Sequence, residues 1–282
     1  MQISEFEQQS ILPPEDADAI VLRAIKDHRP IARICLFSGG NDSAVLAHRH
    51  VDDYDLLAYI DTGTAVPGVL EHVKKFANWL DKPLKVCQAD KQAYRLLVLG
   101  GTDHKGAKWH PLGFPGPAQH NRAYNRLKQR SLQLLLREIK AGHSRNARVV
   151  ALSGVRRAES QRRRNRMPIN RMGSLIFVNP LIDWSDLKMR RYRADNNLPQ
   201  SDVAALLHRS GECNCGAFAT AGEREMLKGL WPEWFDETIA SLERECVKRG
   251  IPEARWGCRP GERSGNVGPL CSDCELPGLE GV

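Results

Sequence analysis

The stretch Arg33-Ile34-Cys35-Leu36-Phe37-Ser38-Gly39-Gly40-Asn41-Asp42-Ser43-Ala44-Val45-Leu46-Ala47 decides how the rest of the chain is read. Its first five residues form a short apolar run, the pattern of a buried strand, and residues 42–50 carry helical patterning. Between them lies a turn with two adjacent glycines. Gly39 and Gly40 let the backbone reverse sharply and bring bare amides close to an anion. The helix N-terminus that follows adds unpaired N–H groups and the positive end of a dipole. Ser38 and Ser43 supply hydroxyls, and Asn41 lies between the glycines and the helix. Asp42 serves either as the helix cap or as a holder of Mg2+ bridging phosphates. An ordinary strand-to-helix turn needs only a cap, so the whole pattern from Ser38 to Ser43 points to phosphate binding. A Walker loop would carry a lysine here, and this one does not.

On either side of the loop, strands and helices alternate. A helix over 14–30 precedes it. A strand over 56–60 runs into Asp61-Thr62-Gly63, followed by a helix over 67–80 and a strand over 84–88. Residues 100–117 are rich in Gly and Pro and read as irregular. A helix over 119–140 and strands over 149–153 and 175–178 follow. This order predicts an α/β fold with a doubly wound, mostly parallel five-stranded sheet, whose ligands sit beyond the carboxyl ends of the strands. From Asp183 the pattern changes to a helix over 185–196, a Cys-x-Cys segment, a helix over 223–247 and a Gly/Pro-rich tail. The expected organisation is an N-terminal helix (1–30), a nucleotide-binding domain (31–200) and a helical, cysteine-rich C-terminal region (201–282).

Apolar residues make up 41% of the 282 residues, enough for a core, and no apolar run approaches a membrane span. The first ten residues lack the basic-then-apolar order of a signal peptide, which leads to the expectation of a cytoplasmic protein without membrane contact. Net charge is +7, suited to handling phosphates or nucleic acid. Between Arg156 and Arg193 eleven Lys and Arg face three acids, and Arg162-Arg163-Arg164-Asn165-Arg166 forms the densest run. That run reads either as a solvated face or as a rim for a nucleic-acid backbone.

Eight cysteines fall into two groups. Cys35, Cys87 and Cys246 lie in apolar or helical patterns and read as small buried hydrophobes. Cys213-Asn214-Cys215 and, fifty-five residues later, Cys271-Ser272-Asp273-Cys274 form two short chelating pairs, with Cys258 as a spare or alternative ligand. Soft thiolates at such spacing bind zinc or an iron–sulfur cluster, and spacing alone does not choose between them.

The signature loop resembles that of the PP-loop superfamily, which includes N-type ATP pyrophosphatases and phosphoadenosine phosphosulfate reductases. Further segments are similar to the reductase-like branch in order: Tyr59-Ile60-Asp61-Thr62-Gly63, Leu152-Ser153-Gly154-Val155-Arg156-Arg157-Ala158-Glu159-Ser160, and Asn179-Pro180-Leu181-Ile182-Asp183-Trp184. The resemblance implies an adenine nucleotide alpha hydrolase-like fold. It implies that Ser38, Gly39, Gly40, Asn41, Asp42 and Ser43 hold phosphates, with Asp61, Thr62, Gly63 and Gly154 also lining the nucleotide and Asp61 and Gly63 near its ribose or adenine. Arg156 and Arg157 would face its phosphate or sulfate end. From the residues alone, Arg157 also reads as a surface ion pair with Glu159. Residues 109–128 resemble the region that positions a second substrate, where Lys128, one helical turn after Tyr124 and near Arg122, would neutralise phosphate or simply face solvent. The resemblance favours a [4Fe–4S] cluster on Cys213, Cys215, Cys271 and Cys274 over zinc, although the family's cluster usually uses a Cys-Cys pair.

The residues after Cys274 lack the Glu-Cys-Gly-Leu-His tail whose thiol serves the sulfonucleotide reductases. The expectation is therefore an enzyme close to the DNA phosphorothioation branch. It would use ATP and Mg2+ to adenylate a substrate, DNA or tRNA, for sulfur transfer from a persulfide donor such as a cysteine desulfurase. Two alternatives stay open: a sulfonucleotide reductase, and a non-enzymatic nucleotide- and cluster-sensing protein that binds nucleic acid. An oligomer is compatible with each.

Overall fold

Strands and helices alternate as expected in the computed structural model, which describes residues 16–219 and 221–257. The first two thirds contain α1 (Ala17–His28), β1 (Ala32–Leu36), α2 (Asn41–Arg49), β2 (Leu56–Asp61), α3 (Val69–Trp79), β3 (Leu84–Gln88), α4 (Ala93–Leu99), β4 (Gly101–Thr102) and β5 (Lys108–Trp109). Then come α5 (His120–Tyr124), a π turn (Asn125–Gln129), α6 (Arg130–Ile139), β6 (Val149–Leu152), β7 (Ile169–Met172), β8 (Leu175–Val178) and α7 (Asp186–Asp195). After it follow α8 (Asp202–Leu207), α9 (Ala221–Leu230), α10 (Pro232–Phe235), a second π turn (Asp236–Ala240) and α11 (Ser241–Lys248).

The main sheet has six strands in the order β3-β2-β1-β6-β8-β7, one more than the five expected. The addition is β7, antiparallel to β8 through the two-residue turn Gly173-Ser174. Its sequence, Ile169-Asn170-Arg171-Met172, has no apolar alternation because it is an exposed edge strand, and polar and charged residues there discourage further pairing.

The chain divides into two compact units. One comprises the described residues up to Leu36, Asp42–Leu56 and Gly142–Leu198. Within it β1 and β8 both run parallel to β6, whose four residues are all buried. Helix α1 packs on β8, burying Ala17, Ile20, Val21 and Ala24. The other unit comprises Phe37–Asn41, Leu57–Ala141 and the described residues from Pro199. There β2 runs parallel to β3, and α3 buries Val69, Val73, Phe76 and Ala77.

Two helices of this second unit have no clear sequence signal. Most of α4 is buried, so its apolar residues show no helical period. Helix α8 is six residues long and is set by the Ser201 cap, whose hydroxyl accepts the Ala204 amide at 3.2 Å. The expected single helix over 223–247 is broken at Trp231-Pro232, where Pro232 starts α10. The expected helix over 119–140 runs unbroken from His120 to Ile139, with the π turn inside it. Cys35, Cys87 and Cys246 are buried as expected.

Candidate functional site

The first half of the signature loop, Phe37–Asn41, is anchored against α3. The Phe37 amide donates to the Ala58 carbonyl at 3.0 Å, and the Phe37 ring stacks on Phe76 at 4.8 Å. Gly39 has φ +78°, a conformation L side chains rarely adopt, and a Cβ there would lie 3.1 Å from Val73 Cγ2. The Gly40 amide points to Ser38 Oγ at 3.4 Å, and its α-carbon faces Ser210. The turn thus keeps its amides together without a side chain over them.

The second half opens α2. The helix starts at Asn41, which puts Asp42 in its first turn rather than at the cap. Asp42 Oδ2 accepts the Arg156 Nε at 2.9 Å. Arg156 is buried and also reaches Asp186 Oδ1 at 2.7 Å and the Trp184 carbonyl at 3.0 Å. Burial works against its charge, but Asp42 and Asp186 outweigh that and hold the guanidinium above its ordinary pKa. Gly154 lies against the same turn: a Cβ there would sit 3.3 Å from the Asp42 carbonyl and the Ser43 amide, so the loop after β6 packs closely on the start of α2.

Arg157 pairs with Asp183 and donates to the Arg166 carbonyl at 3.2 Å. The ion pair with Glu159 read from the sequence is therefore not formed. Glu159 instead accepts the Arg156 amide at 2.9 Å and pairs with Arg163. Burial lowers the pKa of Arg162 and Arg163, and Arg166 lowers both further, so the basic run is crowded with like charge.

The loop after β2 meets the cysteine pair. Asp61 Oδ1 accepts the Gly63 amide at 2.9 Å, which shapes the turn. The buried Thr62 hydroxyl donates to the Glu212 carbonyl at 2.7 Å and pairs with the Thr64 hydroxyl at 2.9 Å. Asn214, between the two cysteines, ties them to this loop. Its amide donates to Thr64 Oγ1 at 3.0 Å, and its Nδ2 donates to the carbonyls of Thr64 and Gly211 at 2.8 and 2.9 Å. The Asn214 carbonyl accepts Trp256 Nε1 at 2.8 Å.

Lys128 lies beside this segment, paired with Glu212 rather than exposed on its helix. Burial disfavours its charge, but Glu212 and Cys213 hold it protonated. Cys213 is lowered to about 6, first by the hydrogen bond from the Cys215 thiol and then by Lys128, while Cys215 as the donor is raised. Both thiols are free of disulfides. Two adjacent unbridged thiols with a cation beside them fit one half of a thiolate metal site. The other expected ligands, Cys271 and Cys274, and the alternative Cys258, lie outside the described residues. Among the described residues no three His, Cys, Asp or Glu are grouped to hold a metal, and no helix is long and apolar enough to cross a membrane.

Asn214, Asp186 and Ser210 were missed by sequence reasoning. Each acts through a contact with a distant part of the chain, and no local pattern announces such contacts.

The fold is α/β with a mostly parallel sheet, and comparison with known proteins gives its family. A family model described as the phosphoadenosine phosphosulfate reductase domain matches residues 32–210. The chain belongs to that family. No curated protein matches it. Solved structures similar to it include the following three. The phosphoadenylyl-sulfate reductase of Candida auris, in a phosphate complex, is 16% identical with TM-score 0.47, covering 73% of this chain and 93% of that one. The NH3-dependent NAD synthetase of Campylobacter jejuni, in complex with nitrate, is 16% identical with TM-score 0.44, covering 88% and 95%. Yeast FAD synthetase, in complex with FAD, is 13% identical with TM-score 0.38, covering 69% and 65%.

Proposed function

We propose that this chain is an ATP pyrophosphatase that adenylates an acceptor on nucleic acid for sulfur transfer. One observation carries the reading. Arg156 bridges Asp42 and Asp186 and so fixes the Asp42 carboxylate in the first turn of the helix that follows the loop glycines. A carboxylate in that position is suited to hold a Mg2+ ion that bridges phosphates. Asp42 would hold the metal with the carboxylate oxygen that Arg156 does not occupy. The amides of Gly39 and Gly40 and the hydroxyls of Ser38 and Ser43 would take phosphate oxygens, Asn41 and Gly154 would line them, and Asp61, Thr62 and Gly63 would border the nucleoside.

An acceptor oxygen attacks the α-phosphorus, the bond to the bridging oxygen breaks, and pyrophosphate leaves. A persulfide, supplied by a cysteine desulfurase or its equivalent, then displaces AMP. A second thiol cleaves the resulting disulfide and leaves the sulfur on the acceptor. Catalysis by the chain is positioning and charge neutralisation, with Arg157 and Lys128 as further cations. Cys213 and Cys215, with Cys271 and Cys274 or Cys258, would hold a [4Fe–4S] cluster, with zinc as the alternative. The cluster would supply soft iron sites for sulfur. The test is pyrophosphate release by anaerobically purified protein with ATP and Mg2+, with and without DNA or tRNA. Release stimulated by one nucleic acid is expected, and silence under every condition refutes the proposal.

A second reading, a sulfonucleotide reductase, is favoured by the matching family model. Sulfite formed from a phosphosulfate nucleotide with thioredoxin would establish it in place of the first.

A further inference from the structure

Several surface cations of this protein have carboxylate partners, such as Arg33 with Asp55, Arg49 with Asp18, Lys85 with Glu138 and Arg244 with Asp236. Four other basic residues gather around one hollow. Lys108, His110, Arg122 and Arg126 line a depression of about 80 Å³ floored by Leu97, Trp109 and Leu112. None of the four is ion-paired among the described residues. Lys108, His110 and Arg122 are exposed, and Arg126 is half-buried. Asp103, which contacts Trp109, is already engaged: it accepts the amides of Lys105 and Ala107 at 2.9 Å each and Trp109 Nε1 at 3.2 Å.

Gathering basic groups around one hollow without a counter-charge costs free energy, unless an anion completes it. The hollow is too small to enclose a nucleotide. The face of Trp109 offers no base a stacking surface, because the Arg126 guanidinium lies on it at 3.8 Å. Lys108 in β5 and His110 just after it flank Trp109, and Arg122 in α5 and Arg126 in the π turn are four residues apart, so the cations come from two elements rather than one point. A strip of cations spread in this way contacts several phosphates in a row and reads no sequence. The same π turn that lays Arg126 on Trp109 sends Lys128 to Glu212, beside Cys213. One helical segment therefore connects the strip to the cysteine pair.

We infer that Lys108, His110, Arg122 and Arg126 form a docking strip for the phosphodiester backbone of a nucleic acid. The inference rests on the proposed function in taking that nucleic acid to be the acceptor. The test compares the full chain with Lys108→Gln, Arg122→Gln and the double variant, by fluorescence anisotropy on short single-stranded and duplex oligonucleotides across a salt series. Each substitution is expected to weaken binding roughly tenfold at low salt and to flatten the plot of log K against log salt by about 0.7–0.9. ATP affinity and melting temperature should stay unchanged. The conservative Lys108→Arg and Arg122→Lys variants should keep the wild-type slope, which separates lost charge from lost fold.

Unchanged affinity and slope in the double variant would overturn the inference. So would equal loss in the conservative variants, or saturable binding of inorganic phosphate at the strip without any of oligonucleotide. Pyrophosphate assays separate the two ideas. If the strip variants lose oligonucleotide but wild type never releases pyrophosphate, the strip stands and the proposed activity falls. If wild type turns over with nucleic acid and the strip variants match it, only the strip falls.

Discussion

The Arg156 guanidinium divides its donors among Asp42, Asp186 and the Trp184 carbonyl, and its own amide is capped by Glu159. A planar fork is needed to serve three acceptors lying in different directions, and the single ammonium of lysine cannot replace it. Arg156→Lys is therefore expected to lower stability by about 2–3 kcal/mol, because it leaves buried or half-buried acceptors without donors. ATP affinity should fall with it, since Asp42 loses its orientation. Urea unfolding and calorimetric titration of ATP check both effects. A variant with wild-type stability and affinity would show that the clamp does not position the loop. The sequence marked Arg156 as a site residue through its family segment. Its distribution among partners was not legible, because Asp186 and Trp184 follow some thirty residues later and meet it only through the fold.

At the scale of elements, the loop after β2 and the Cys-x-Cys segment behave as one piece. Asn214 joins them with three donated hydrogen bonds, and its side-chain oxygen accepts Arg209 at 2.5 Å. Replacing it by alanine leaves the Thr64 and Gly211 carbonyls without a side-chain donor. The expected cost is about 2 kcal/mol, read by thermal or urea unfolding. Loosening of the segment should also expose Cys215, so that its alkylation by iodoacetamide under native conditions becomes faster. An unchanged alkylation rate would argue that Trp256 and Thr62 hold the segment without Asn214. Element types were legible where the pattern is periodic or strongly apolar, as in α3 and β6. They were not where burial is complete, as in α4, or absent, as in β7, since neither leaves an alternation of polar and apolar residues to read.

For the molecule as a whole, the proposed metal site bears directly on the proposed sulfur chemistry. Anaerobically isolated wild type is expected to carry iron and acid-labile sulfide. Cys213→Ser and Cys271→Ala should each lose both while keeping the helical content seen by circular dichroism. Stoichiometric zinc without sulfide would overturn the cluster and leave a structural thiolate site. Chelation of Mg2+ with EDTA should abolish pyrophosphate release, because Asp42 would then have no ion through which to hold the phosphates.

The loop from Ser38 to Ser43, the alternation of strands and helices, and the burial of Cys35, Cys87 and Cys246 were determined by the sequence itself. All are short-range features, in which a residue's neighbours set its geometry. Only the tertiary structure decided that Asp42 is held by Arg156 rather than capping its helix. It also turned Arg157 to Asp183 instead of Glu159, placed Lys128 beside Cys213 instead of in solvent, and left Lys108, His110, Arg122 and Arg126 without an ion-pair partner among the described residues. The physical reason is common to all four: a charge's partner is chosen by distance in space, and the fold brings together groups that the chain keeps far apart.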